Sequence, residues 1–257
     1  MSELRSKQVA LVIMFASFYL VLSLLPGVPV IGIPKAKIQL EAAVASVFGI
    51  FLGPYLGALT TLIGVSLASI YGGSTLFNLI FFGAPIFNSL ISGFLARGRW
   101  RIAALLMGLA ITGFWLTPIS QPFSKYWYVG LAATYDKIAA LLIAVVLGAK
   151  LIGRGLKLAD LRWRILRFSI PVVTLIAFIG SEADASIGIL MVALPPIYSG
   201  IFNLSLDAAR ALFLVSPFLY PIIYIIRSFI ASAITLTLAN ILKLIGKESL
   251  LEVRFQS

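Results

Sequence analysis

Phe48-Gly49-Ile50-Phe51-Leu52-Gly53-Pro54-Tyr55-Leu56-Gly57 lies in the middle of an apolar run that extends over residues 38–71. The run reads either as one kinked helix or as a hairpin of two short helices broken at Gly53-Pro54, since proline cannot continue a helix without losing a hydrogen bond. The choice sets the orientation of everything downstream. A single crossing would place Arg97, Arg99 and Arg101 on the outer side of a membrane, together with the cations between Lys150 and Arg167. Lys and Arg concentrate in cytoplasmic loops, so the chain is read with two crossings, 38–52 and 54–71. Each is about 22–27 Å long at 1.5 Å per residue. Helices that short are tolerated when they are tilted little or packed inside a bundle.

The rest of the chain follows the same reading. Of 257 residues, 61% are hydrophobic and 11% charged, against about 45–50% and about 25% in a soluble domain. Water cannot solvate that excess, so the expected fold is all-α, a polytopic transmembrane helix bundle in one domain, 1–257. Eight spans are expected, near 8–25, 38–52, 54–71, 75–96, 102–118, 129–149, 167–192 and 219–242. Both termini are placed in the cytoplasm and the protein in the cell membrane, multi-pass. The cytoplasmic side then holds Arg5 and Lys7, Arg97 to Arg101, Lys150 to Arg167, and Lys243, Lys247 and Arg254, which are most of the 20 Lys and Arg. The outer loops keep Lys35, Lys37, Lys125 and Arg210. The apolar run after Lys7 is long for a signal sequence and lacks a small-residue cleavage site directly behind it, so it is read as a retained first helix. Trp100, Trp115, Trp127 and Trp163 fall near span ends, as in an interfacial aromatic belt.

Composition narrows function by exclusion. The net charge of +11 is assigned to cytoplasmic loops rather than to nucleic-acid binding. The chain has no Cys and no His, which removes disulfides, thiolate metal sites and the commonest general base. No G-x-x-x-x-G-K-[ST] loop is present, so ATP is not bound by that device. No metal, cofactor or catalytic residue is expected.

Four features are candidates for a site. Gly49-x3-Gly53-x3-Gly57, extended by Gly64 and Ala68, allows close helix approach in lipid, either as plain packing or as the core around a ligand cavity. The loop Pro26–Pro34 is apolar yet rich in helix breakers; it is a surface connector or a lid over an outer-side ligand, irregular backbone at membrane depth being tolerated only where buried or lining a cavity. A polar set at outer span ends comprises Lys35, Lys37, Glu41, Tyr71, Asn78, Glu182, Asp184 and Arg227. Ionisable groups within spans generally face the bundle interior and pair, so Arg227 is expected to partner Glu182 or Asp184. Asn78 and Asn88, about 100° apart on an ideal helix, border one cavity or form interhelical hydrogen bonds. Asp136-Lys137 reads as a local pair that snorkels outward.

The segments Phe15–Leu22, Ile31-Gly32-Ile33-Pro34 and Phe48–Leu59 together resemble the substrate-binding S component of energy-coupling factor (ECF) transporters. Ile179–Gly188 looks like that family's penultimate helix, and Phe218-Leu219-Tyr220-Pro221 through Asn240 like its last. The resemblance covers residues 8–97 and 168–243. It leaves 98–165 as a two-helix addition to the usual six spans. The partner-docking Ala-x-x-x-Ala of the first helix is approached only by Ala10-x-x-x-Met14.

The resemblance implies capture of a scarce, vitamin-like small molecule at the outer face, with a transmembrane T component and two ATPase subunits as partners alongside membrane lipids. The substrate-binding residues expected are Glu41, Tyr71, Asn78, Asn88, Glu182, Asp184 and Arg227. The rivals are a non-catalytic membrane scaffold or assembly subunit, in which the buried charges pair only with each other, and an intramembrane lipid-modifying enzyme using one of Glu41, Asp136, Glu182 or Asp184.

Overall fold

The computed structural model describes residues 2–29, 37–38, 41–71, 79–148, 163–215, 217 and 220–244. These are almost wholly helical. The helices are α1 (Ser2–Ser23), α2 (Ala42–Leu52), α3 (Pro54–Tyr71), α4 (Gly83–Ala96), α5 (Trp100–Trp115), α6 (Phe123–Leu147), α7 (Trp163–Val192), α8 (Leu206–Val215) and α9 (Tyr220–Leu244). A two-residue antiparallel pair, β1 (Val28–Pro29) with β2 (Lys37–Ile38), closes the loop between α1 and α2. Four helices carry segments long and apolar enough to cross a membrane: Pro54–Tyr71, Phe123–Val146, Ile170–Val192 and Tyr220–Ile241. Four shorter apolar helices accompany them, within α1, α2, α4 and α5.

The break at Gly53 is real. Gly53 has φ of +84°, a conformation that costs glycine nothing and other residues considerably. The chain therefore turns between α2 and α3, and the two helices pack on each other. Arg97, just past the end of α4, donates from Nη2 to the Phe51 carbonyl at 3.3 Å. That contact satisfies an acceptor which the last turn of a helix leaves open.

α2 is the axis of the bundle. All eleven of its residues are buried, as expected of a helix that is apolar all round. It packs against α3, α4, α7 and α9. Its approach to α4 is set by small residues: a Cβ on Gly49 would strike the Ser89 carbonyl, and one on Gly93 would meet Pro54. A Cβ on Gly180 of α7 would strike Ser92 Oγ and Asn88 Oδ1. The Phe15 ring of α1 stacks on Phe48 with centroids 5.1 Å apart.

Several sequence expectations are revised. The span expected at 75–96 has its described α4 only from Gly83, with residues 72–78 outside the described part. The stretch after α7, an outer loop between the last two expected spans, contains a π-helical turn, Pro196–Ile201, and α8. At ten residues α8 is too short for a span, and its start is marked by Ser205, whose Oγ accepts from the Ala208 N–H at 3.2 Å. α5 and α6, in the stretch expected as a two-helix addition, pack against α4 and α7 within the same bundle. Trp115 ends α5 and donates from Nε1 to Thr134 Oγ1 of α6 at 3.1 Å, which ties the two helices together at that end.

Candidate functional site

Ionisable side chains from three helices and one helix start converge inside this apolar bundle. Arg227 of α9 places Nη1 3.1 Å from Asp184 Oδ2 of α7. Lys137 of α6 places Nζ 2.7 Å from Asp136 Oδ2 and 3.5 Å from Glu182 Oε2. Glu41, at the N-terminal end of α2, lies within electrostatic reach of Arg227 and Asp184. Glu41, Asp136, Lys137, Glu182, Asp184 and Arg227 are all buried.

Tyrosines join these charges into one group. Lys137 Nζ lies 5.2 Å and Arg227 Cζ 5.8 Å from the ring centroid of Tyr224, so both cations are held against one aromatic ring. Tyr19 of α1 is buried and within electrostatic reach of Glu41, Asp184 and Arg227. The position of Tyr224, one turn before Arg227, follows from α9's helical repeat, which places i and i+3 on the same face.

The pairings are incomplete. Glu182 is 0% exposed, yet neither carboxylate oxygen accepts a hydrogen bond, and Glu41 Oε2 likewise has none. A buried carboxylate without hydrogen bonds is costly, because the lost hydration is not replaced. This arrangement is the strongest departure from ordinary packing among the described residues.

The structure sorts the expected site residues. It brings together Glu41, Glu182, Asp184 and Arg227, and gives Arg227 to Asp184 of the two carboxylates considered for it. Tyr71 stands apart: it ends α3 at 72% exposure, because the helix carries it out beyond the packed face. Asn78 lies outside the described residues, as do Lys35 and the loop 30–36. Asn88 is buried, and its amide is spent on helix packing. Its Nδ2 donates to the Ala42 carbonyl at 3.0 Å, while Ser46 Oγ and Ser92 Oγ donate to its Oδ1 at 2.7 and 3.1 Å.

Asp136 and Lys137 correct a further expectation. They do not snorkel outward; both are buried, and Lys137 reaches Glu182. The preference for water gives way to a buried countercharge forty-five residues later in the chain. A tyrosine in an apolar run reads as ordinary core, so the sequence singles out neither Tyr19 nor Tyr224; the nearness of Tyr19 to Glu41 emerges only when the helices are assembled.

Together the helices and the buried charges define a helical bundle of membrane type with a polar interior site. No family model matches the chain, and no curated protein or solved structure is detectably similar to it.

Proposed function

We propose that the protein is a membrane-embedded substrate-binding subunit that takes up a small, vitamin-like molecule and is energised by separate subunits. In this reading the eight apolar helices, α1 to α7 and α9, cross the cell membrane with both termini in the cytoplasm. The cations of the loops then lie inside, and the buried charge group lies toward the outer side. A transmembrane T component and two ATPase subunits supply the energy that no nucleotide loop in this chain provides. The resemblance of residues 8–97 and 168–243 to ECF S components supports the division of labour.

The observation that carries the reading is the set of carboxylate oxygens on Glu41 and Glu182 that are buried without hydrogen-bond partners beside the Arg227–Asp184 pair. Ionisable groups in spans mark substrate and ion pathways, and a site built to receive a polar ligand holds unsatisfied groups until the ligand arrives. The scaffold reading is favoured by a different observation. Asp184 with Arg227 and Asp136 with Lys137 already form internal pairs, as charges serving only architecture would.

Mass spectrometry of small molecules released from the detergent-purified protein separates the two. A stoichiometric non-lipid compound, lost in the E182A/R227A variant, supports the binding subunit. Lipids alone, from wild type extracted both in detergent and in native membrane discs, support the scaffold.

A further inference from the structure

Among the described residues the buried group contains four carboxylates, Glu41, Asp136, Glu182 and Asp184, and two cations, Lys137 and Arg227. Each cation has a close carboxylate of its own, at 2.7 Å for Lys137 with Asp136 and 3.1 Å for Arg227 with Asp184. Glu182 and Glu41 remain. Lys137 reaches Glu182 only at 3.5 Å, with no hydrogen bond to either oxygen. The group is therefore acid-rich, and its surplus lies on the two side chains with open acceptor oxygens.

The surroundings match that surplus. Carboxylate oxygens accept hydrogen bonds and donate none when ionised. Tyr224 and Tyr19 are buried in the same group, and aromatic faces attract cations. Among the described residues an anionic ligand would meet only cations already paired with Asp136 and Asp184, and would add to the negative excess.

We infer that the molecule bound at this site carries a positively charged nitrogen group, of ammonium or amidinium type, received by Glu182 against Tyr224, with Glu41 and Tyr19 in the same charge group. This rests on the binding-subunit reading and specifies the chemistry of its cargo. A proton on Glu182 is the competing way to remove the surplus. It predicts that a carboxamide at position 182 changes nothing, because Gln mimics the protonated acid in shape and charge.

The test is to purify wild type, E182Q and E41Q, confirm that each is monodisperse, and release bound compounds by denaturation. The released fraction is passed over a cation exchanger at pH 7 and identified by mass. The expected result is a stoichiometric compound that is retained on the exchanger. Its occupancy falls roughly tenfold or more in E182Q, the loss typical of unpairing a buried charge, and falls in E41Q as well. A compound that passes through the exchanger, or one present equally in wild type and in both Gln variants, overturns the inference while the binding-subunit reading stands. Release of lipid alone overturns both.

Discussion

Arg227 Nη1 and Asp184 Oδ2 stand 3.1 Å apart across the contact between α9 and α7, and both residues are buried. They come from segments 43 residues apart in the chain. Their meeting ties the orientation of the last helix to the polar interior of the bundle. Removing one member leaves the other as a buried charge without its partner, which is the costly case. Arg227→Ala and Asp184→Asn are each expected to lower stability by about 3–5 kcal/mol, read from thermal unfolding in detergent. The exchange R227E/D184R is expected to recover part of that loss. Additive losses in the double variant would show that the two do not interact.

Lys137 bridges Asp136 and Glu182. Lys137→Met leaves two buried carboxylates facing each other without a cation, so a strong loss of folded protein is expected. Adding Glu182→Gln removes one of those charges and is expected to restore part of the yield. Size-exclusion profiles of K137M and K137M/E182Q compare the two directly. Equal recovery of K137M and wild type would mean that the lysine contributes nothing to the group.

Glycine positions that look alike in sequence are expected to differ sharply. Gly180→Ala drives a methyl group into Ser92 and Asn88, whereas Gly108→Ala meets nothing within 4 Å. The first is expected to cost about 1–3 kcal/mol as overpacking, and the second to be neutral or slightly stabilising through higher helix propensity. Fluorescence-detected melting of the two variants checks this, and similar behaviour would contradict the packing described.

Arg210 clamps α8 onto the turn between α5 and α6. Its guanidinium donates to the carbonyls of Ile119, Pro118 and Gln121 at 3.1, 2.9 and 2.8 Å, and it stacks over Tyr126 at 3.4 Å. Arg210→Ala is expected to open that turn to limited proteolysis near residue 121 while any compound that co-purifies with wild type is retained. Loss of the compound together with the turn would join the two regions functionally.

Because the chain has no Cys, single introduced cysteines report sidedness without background. In intact cells, Gln121→Cys is expected to react with a membrane-impermeant maleimide, and Arg99→Cys only after the membrane is opened. The reverse pattern would invert the orientation inferred from the loop cations.

Much of this architecture was legible from residue order. The hairpin at Gly53-Pro54 could be read from the breaker pair and from the cations beyond it, and α3 occupies the expected span, 54–71. Arg227 could be assigned to the interior because an unpaired guanidinium in an apolar helix is too costly to leave there. Other features needed three dimensions. Lys137 looked like half of a local pair because its neighbour is Asp136, and Glu182, which draws it inward, is far away in sequence. Asn88 offered two readings that only the positions of Ser46 and Ala42 could separate. Tyr71 resembled the other polar groups at span ends, but the direction in which α3 leaves the bundle decides its exposure. α8 escaped notice because ten residues with Asp207 and Arg210 among them give a weak apolar signal.

The glycine contacts of α2, α4 and α7 also have a mechanical consequence. Where Gly49 meets the Ser89 backbone, no layer of side chain separates α2 from α4, and Gly180 seats α7 directly on the hydrogen-bonded side chains of Asn88 and Ser92. Sliding α2 past α4 by even a fraction of a turn would drive backbone into backbone. These three helices are therefore a keel that moves as one piece. α1 rests on this keel through the rings of Phe15, Tyr19 and Phe48, and ring contacts can shear. Any opening and closing of the polar interior thus falls to the helices outside this keel.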